Sequence, residues 1–121
     1  MKVDVMFRCG NAPKMERVID LTIAIANKNL NQIKAHVRED FKWKIVGEEV
    51  VFSLDEITQV LAKKPIISAI KVENALSHGN GAMCEGILTL DHGDILHFCN
   101  VVTFVNTAKD ALIKEAHTYL I

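Results

Sequence analysis

The sequence predicts an α+β fold in which a curved, mixed to antiparallel sheet wraps around N-terminal helices. Two observations carry this. From Ile66 to Ile121 the chain reads as four long β-runs separated by tight turns, with nothing helical between them. The front half is helical almost throughout, with apolar residues recurring at helical spacing. Helices first and a strand meander second is an order in which the sheet's apolar face is covered by the helices, and such an arrangement encloses a pocket.

At 121 residues the chain is expected to form one domain, 1–121, large enough to bury a core without staples. Its hydrophobic fraction of 50% argues against disorder. A formal net charge of −1 argues against a nucleic-acid partner, because phosphate neutralisation needs a basic face. Lys42 with Lys44, and Lys63 with Lys64, are doublets of a solvated surface rather than a patch. The longest apolar stretch is too short to span a bilayer, and Met1–Phe7 lacks the apolar run of a signal peptide, so no membrane partner is expected. Cys9, Cys84 and Cys99 are odd in number and set among apolar neighbours, a pattern of reduced, buried thiols in a cytoplasmic protein.

Taking the elements in order, Asn11 is placed to cap a helix whose first turn holds Pro13, where a missing N–H costs nothing. Met15, Val18, Ile19, Thr22, Ile25 and Ala26 follow at helical spacing. A short second helix carries Leu30, Ile33 and Val37 as its buried stripe. Phe41, Trp43 and Ile45 alternate with Lys42 and Lys44, which predicts a half-buried strand ended by Gly47. Ser53-Leu54-Asp55-Glu56 is a capping box opening a helix with Ile57, Val60 and Leu61 that stops before Pro65.

The sheet proper is expected from Ile66, with Ile70, Val72, Asn74 and Leu76 on one face and a hairpin turn at Gly79-Asn80-Gly81. The strand Ala82–Leu90 ends at Asp91-His92-Gly93-Asp94. Ile95–Val105 follows, then a turn through Asn106–Asp110 and a last strand Ala111–Ile121. Strict alternation puts Phe98, Asn100, Val102 and Phe104 on one face and His97, Cys99, Val101 and Thr103 on the other. On the last strand it groups Ile113, Glu115, His117, Tyr119 and Ile121 against Leu112, Lys114, Ala116, Thr118 and Leu120.

Three segments of the front half carry a family resemblance: the Asn11–Lys28 helix, the strand Asp40-Phe41-Lys42-Trp43-Lys44-Ile45-Val46-Gly47 and the Ser53–Leu61 helix. Ile95–Phe104 and Ile113–Tyr119 complete it. Over nearly its whole length the chain resembles the nuclear transport factor 2-like superfamily, and within it the SnoaL-like proteins, whose relatives include polyketide cyclases and ketosteroid isomerase. The resemblance implies a cone-shaped, cystatin-like α+β barrel with a deep pocket, built into a homodimer through the outer face of the sheet. In ketosteroid isomerase a first-strand carboxylate moves the proton, and a tyrosine with a protonated aspartate stabilises the enolate. The base position falls near Ile45, which cannot take a proton, and the aspartate's place falls near Asn100, with Phe104 anchoring the alignment. Enzymes, binding modules and transport adaptors share the fold, so the fold alone does not give the function.

The expected pocket wall is Trp43, Phe98, Asn100, Phe104 and Tyr119, with Asn100 and Tyr119 as polar anchors for a small, largely apolar organic molecule. Asn100 reads either as an amide donor aimed at a ligand oxygen or as a buried amide satisfied internally. Glu85 and Glu115 are the strand carboxylates that an enzyme would use as acid or base, on a carbonyl or epoxide substrate, if either points into the cone. His97 and Cys99 sit two apart on one strand, about 6.5–7 Å, too far for a direct nucleophile–base hydrogen bond. No metal is expected, because no His-x-His, Glu-x-x-His or Cys-x-x-Cys spacing occurs. No cofactor is expected either, since the glycines near Gly79 and Gly93 lack a phosphate-loop pattern. A third possibility is an interaction module that uses the outer sheet face.

Overall fold

A computed structural model of the protein describes residues 1–6, 12–48 and 50–121. Asn11, the expected helix cap, and Cys9 lie outside the described residues. Pro13–Ala26 forms α1 and Leu30–His36 forms α2. Asn29 caps α2, its side chain accepting from the Gln32 N–H at 3.2 Å. Helix α1 buries Met15, Val18, Ile19, Leu21 and Ala24 against the sheet. Each of these side chains larger than Ala24, fully removed from water, stabilises the fold by roughly 1.5–3 kcal/mol.

Val37–Ile45 (β2) follows α2 directly, so Val37 belongs to the strand rather than to the helix stripe, though it is buried as expected. Val51–Ser53 (β3) leads through a 3-10 turn, Leu54–Glu56, into α3, Ile57–Ala62. One oxygen of Glu56 accepts from both the Ser53 N–H and the Ser53 hydroxyl at 2.9 Å, which holds its carboxyl below the usual carboxylate range. The meander is Ile67–His78 (β4), Gly81–Leu90 (β5), Ile95–Phe104 (β6) and Ile113–Leu120 (β7).

Among the described residues the seven strands form one curled, unclosed sheet in the order β1-β4-β5-β6-β7-β2-β3, where β1 is Lys2–Val5. Pairing is antiparallel throughout the meander and between β2 and β3, and parallel for β1 with β4 and β2 with β7. The core lies between the helices and the concave face. Strands β1 and β3 were not expected from the sequence. They are edge strands of four and three residues, too short to show a period.

Among the described residues, two of the sheet's four register shifts regroup residues that the sequence alone puts on one face. In β4 the pairing steps from Val72–Gly86 to Asn74–Glu85, leaving Glu73 as an extra residue. Ile70, Val72 and Ala75 therefore face inward, while Asn74 and Leu76 turn outward, Leu76 with 60% exposure. The bulge brings backbone onto Gly86, where a Cβ would stand 1.8 Å from the Lys71 carbonyl oxygen. In β7 the pairing steps from Thr103–Glu115 to Phe104–Ile113, so Ile113 joins Ala116 inside instead of sharing a face with Glu115. The turn between β4 and β5 is a two-residue loop with Gly79 at φ 58°, a conformation glycine adopts without strain.

Candidate functional site

The alternation expected for β6 holds. Phe98, Asn100, Val102 and Phe104 are buried on the concave face, and His97, Cys99, Val101 and Thr103 are more exposed on the other. Asn100 is 2% exposed, so each of its polar atoms needs a protein partner. Its partners are hydroxyls. Thr118 donates to Asn100 Oδ1 at 2.9 Å, and Asn100 Nδ2 donates to Thr22 Oγ1 at 2.8 Å. Thr22 in turn donates to the Val18 carbonyl, one helical turn back, at 2.7 Å. At the other end the Trp43 indole N–H donates to Thr118 Oγ1 at 2.9 Å.

The direction of this chain is fixed by its ends. An indole N–H only donates and a carbonyl only accepts, so Trp43, Thr118, Asn100, Thr22 and the Val18 carbonyl pass their hydrogen bonds one way. The Cys84 sulfur stands 3.2 Å from Thr22 Oγ1, and burial pushes its thiol up to about 12, so it stays protonated. A neutral thiol in this place is packing, not a nucleophile.

The polar chain forms the floor of an apolar cavity. A deep part of about 50 Å³ is bounded by Thr22, Leu88, Phe98, Asn100 and Thr118. A larger part of about 110 Å³ lies beside it, along Trp43, Ile45, Leu61 and Leu96. Ile25, Ala26, Leu88, Thr118 and Leu120 line both parts, which places the two side by side. Its rim is formed by Lys28 at the end of α1 and by Lys64-Pro65 after α3. Lys28 Nζ donates to the Lys64 carbonyl at 2.7 Å, and Lys64 Nζ meets Glu48 at 3.1 Å.

Of the wall residues the sequence suggested, the structure brings Trp43, Phe98 and Asn100 to this space. Phe104 is buried elsewhere, under the Lys14 ammonium at 5.4 Å from its ring. Tyr119 pairs with Cys99 across the sheet and lies on the outer face, 43% exposed. The inward residue of that strand segment is Thr118, one position earlier, and it is Thr118 rather than Tyr119 that lines the cavity. Both glutamates are also on the outer face. Glu85 is exposed, between Asn74 and Cys99; Glu115 is half-buried, between Thr103 and Lys42. Cys99 is half-buried rather than buried, and burial with the neighbouring Glu85 raises its thiol pKa. Among the described residues no group of three potential metal ligands comes together.

Thr22, Thr118 and Lys28 were not singled out as site residues from the sequence. Thr22 carried a readable signal: a hydroxyl on an otherwise apolar helix stripe must find a buried partner.

The sequence matches no family model and no curated protein. Solved structures do match. An NTF-2 like protein of unknown function from Burkholderia xenovorans LB400 superposes with a TM-score of 0.72 at 13% identity, covering 91% of this chain and 84% of that one. The fold is NTF2-like. A bacterial protein with a cystatin-like fold from Silicibacter pomeroyi DSS-3 matches with a TM-score of 0.68 at 13% identity, over 88% of this chain and 74% of that one. A hypothetical protein with a ketosteroid isomerase-like fold from Catenulispora acidiphila DSM 44928, in complex with trimethylamine, matches with a TM-score of 0.67 at 11% identity. That match covers 86% of this chain and 84% of the other. These NTF2-like neighbours share the architecture read from the sequence; at such identities the likeness carries the fold alone.

Proposed function

We propose that this chain is a SnoaL-like pocket protein that binds a small, largely apolar organic ligand between α1 and the concave face of the sheet. The observation that carries the reading is the cavity itself: an apolar wall closed at the bottom by polar groups that already satisfy one another. Such a floor orients a ligand by shape and leaves little for chemistry. A fold neighbour held in complex with trimethylamine supports the capacity of this architecture to take a small organic molecule.

The enzymatic alternative, a cofactor-independent isomerase, cyclase or hydrolase acting on a carbonyl or epoxide, needs a proton-transfer group facing the ligand. With Glu85 and Glu115 on the outer face and Ile45 on the wall, the strand carboxylates and the first-strand base position offer none.

The outer face supports a homodimer through the sheet. Leu76, Met83 and Val101 stand side by side across β4, β5 and β6, with Leu76 and Val101 60% and 40% exposed. A cytoplasmic location fits the free thiols Cys84 and Cys99. No helix among the described residues is long and apolar enough to cross a membrane.

Titration with toluene, followed by two-dimensional NMR, tests the pocket. Shifts concentrated on Ile25, Leu88, Phe98 and the Trp43 indole are expected. Shifts scattered over the outer face, with those signals unmoved, would sink the reading.

A further inference from the structure

Helix α1 ends in a Schellman arrangement: the Asn29 N–H bonds the Ala24 carbonyl and the Lys28 N–H bonds the Ile25 carbonyl, both at 3.0 Å. The left-handed residue such an ending requires is glycine in most helices. Here it is Lys28, at φ 55°, the one non-glycine residue of positive φ among those described. A side chain held in that region is strained, and strain of this kind persists where the surrounding structure holds it in place. What the side chain does is visible: it runs along the cavity rim and is tethered by one ammonium proton to the Lys64 carbonyl at 2.7 Å. Two further protons remain to be donated. Lys28 forms no ion pair among the described residues.

The second rim cation is Lys64. Its partner Glu48 is 45% exposed and Lys64 itself 34%, so the pair is held loosely and can yield to a competing anion. The described residues lining the cavity include these two lysines and no acid. The interior offers the opposite chemistry. Its indole and hydroxyl protons are consumed by the one-way chain that ends on the Val18 carbonyl, which leaves only the second amide proton of Asn100 at the floor, too little to solvate an anionic group. The space, about 110 Å³ with a deeper 50 Å³ annex, is comparable to the ~150 Å³ apolar cavity that takes up benzene.

We infer that the cavity receives a small apolar carboxylate, its ring or short chain inside and its carboxylate at the rim on Lys28 and Lys64. The inference rests on the pocket reading above and names the class of ligand. A monoanion fits better than a phosphate, because the rim lies at a helix C-terminus, whose partial negative charge opposes a dianion. A ligand cation would meet two ammonium groups and no counter-charge on the lining.

The test compares phenylacetate with its neutral isostere 2-phenylacetamide by calorimetry at pH 7.5 and low salt, on the full chain and on Lys28→Gly and Lys28→Met. Glycine is the residue the backbone favours at position 28, so Lys28→Gly is expected to melt above the wild type, and lost binding cannot be blamed on unfolding. Lys28→Met keeps most of the apolar stem. One charge-assisted hydrogen bond predicts that phenylacetate binds about tenfold tighter than the amide. Both variants should cut that advantage, weakening phenylacetate binding more than amide binding, and 0.5 M salt should reduce it in the wild type. Equal affinity of the wild type for the two probes, or a preference undiminished by both substitutions, overturns the carboxylate assignment and leaves the pocket intact. Binding of neither probe overturns the pocket and the assignment together.

Discussion

Replacing Asn100 by aspartate gives the sharpest test of the buried polar chain. The two side chains have the same shape, and a protonated carboxyl reproduces the amide's pattern: its carbonyl accepts from Thr118 and its O–H donates to Thr22. Ionised, it has no proton for Thr22, which must then abandon the Val18 carbonyl to serve the new charge. At 2% exposure the charged form loses nearly all its water. Full burial raises a carboxyl pKa by ~3–5 units, and two hydroxyls able to turn toward it argue for the lower end. About 3 units at 1.36 kcal/mol each is about 4 kcal/mol. Because the folded pKa lies above the unfolded ~3.9, the variant keeps its stability relative to wild type below about pH 4. It loses that stability as pH rises toward the folded value near ~7. Urea unfolding of both proteins at five pH values between 4 and 8, read as the difference between them, measures this. A difference that stays flat within ~0.5 kcal/mol would mean that Asn100 is wetted or differently partnered, and the one-way chain would have to be abandoned.

Three further outcomes follow from the same geometry. Thr118→Val removes the acceptor of the Trp43 indole and the donor to Asn100, and should cost roughly 2–3 kcal/mol in urea unfolding; Trp43→Phe should then cost less in that background than alone, and strict additivity would count against the bond between them. Gly86→Ala sets a methyl against the Lys71 carbonyl at 1.8 Å and should cost ~3 kcal/mol or more, whereas equal stability would refute the β4 bulge. His36 is kept below its usual pKa by burial and then by Arg17, partly offset by Asp20, with an Arg17 nitrogen 3.3 Å from its Nδ1. A depressed histidine favours the fold above its unfolded pKa, so the melting temperature should fall on acidification below about pH 6.5, and His36→Gln should flatten that fall.

The parts of this fold that were legible in the sequence are those set by local rules. The order of the helices and of the five longer strands, the Ser53–Glu56 turn and the hairpin at Gly79 each follow from patterns within a few residues, and so does the inward set of β6. What was not legible depends on contacts between distant segments. The bulge at Glu73 exists because Gly86, on the next strand, lets the backbone come close, and nothing within β4 announces it. A slip of one residue decides which face Leu76 presents, just as alternation decided between Thr118 and Tyr119 at the pocket. Asn100 was read as a pocket residue from its strand alone, but its satisfaction by two threonines required α1 and β7 to be in place. Glu85 and Glu115 stood out because carboxylates carry chemistry, yet each sits at an outward position of its strand.

Trp43 is the sole tryptophan of the chain, and it stands with its ring on the cavity wall and its N–H committed to Thr118. The Phe52 ring lies 6.1 Å away at 53°, on the neighbouring edge strand. The indole emission of this protein, excited at wavelengths that Tyr119 does not absorb, therefore comes from one chromophore that borders the site, with no background from other indoles. Filling the space changes what that indole touches, and breaking the polar chain changes what its N–H meets, so its emission colour and its quenching by acrylamide respond separately to occupancy and to the floor. The protein carries its own optical gauge, and ligand libraries can be screened against it without a label.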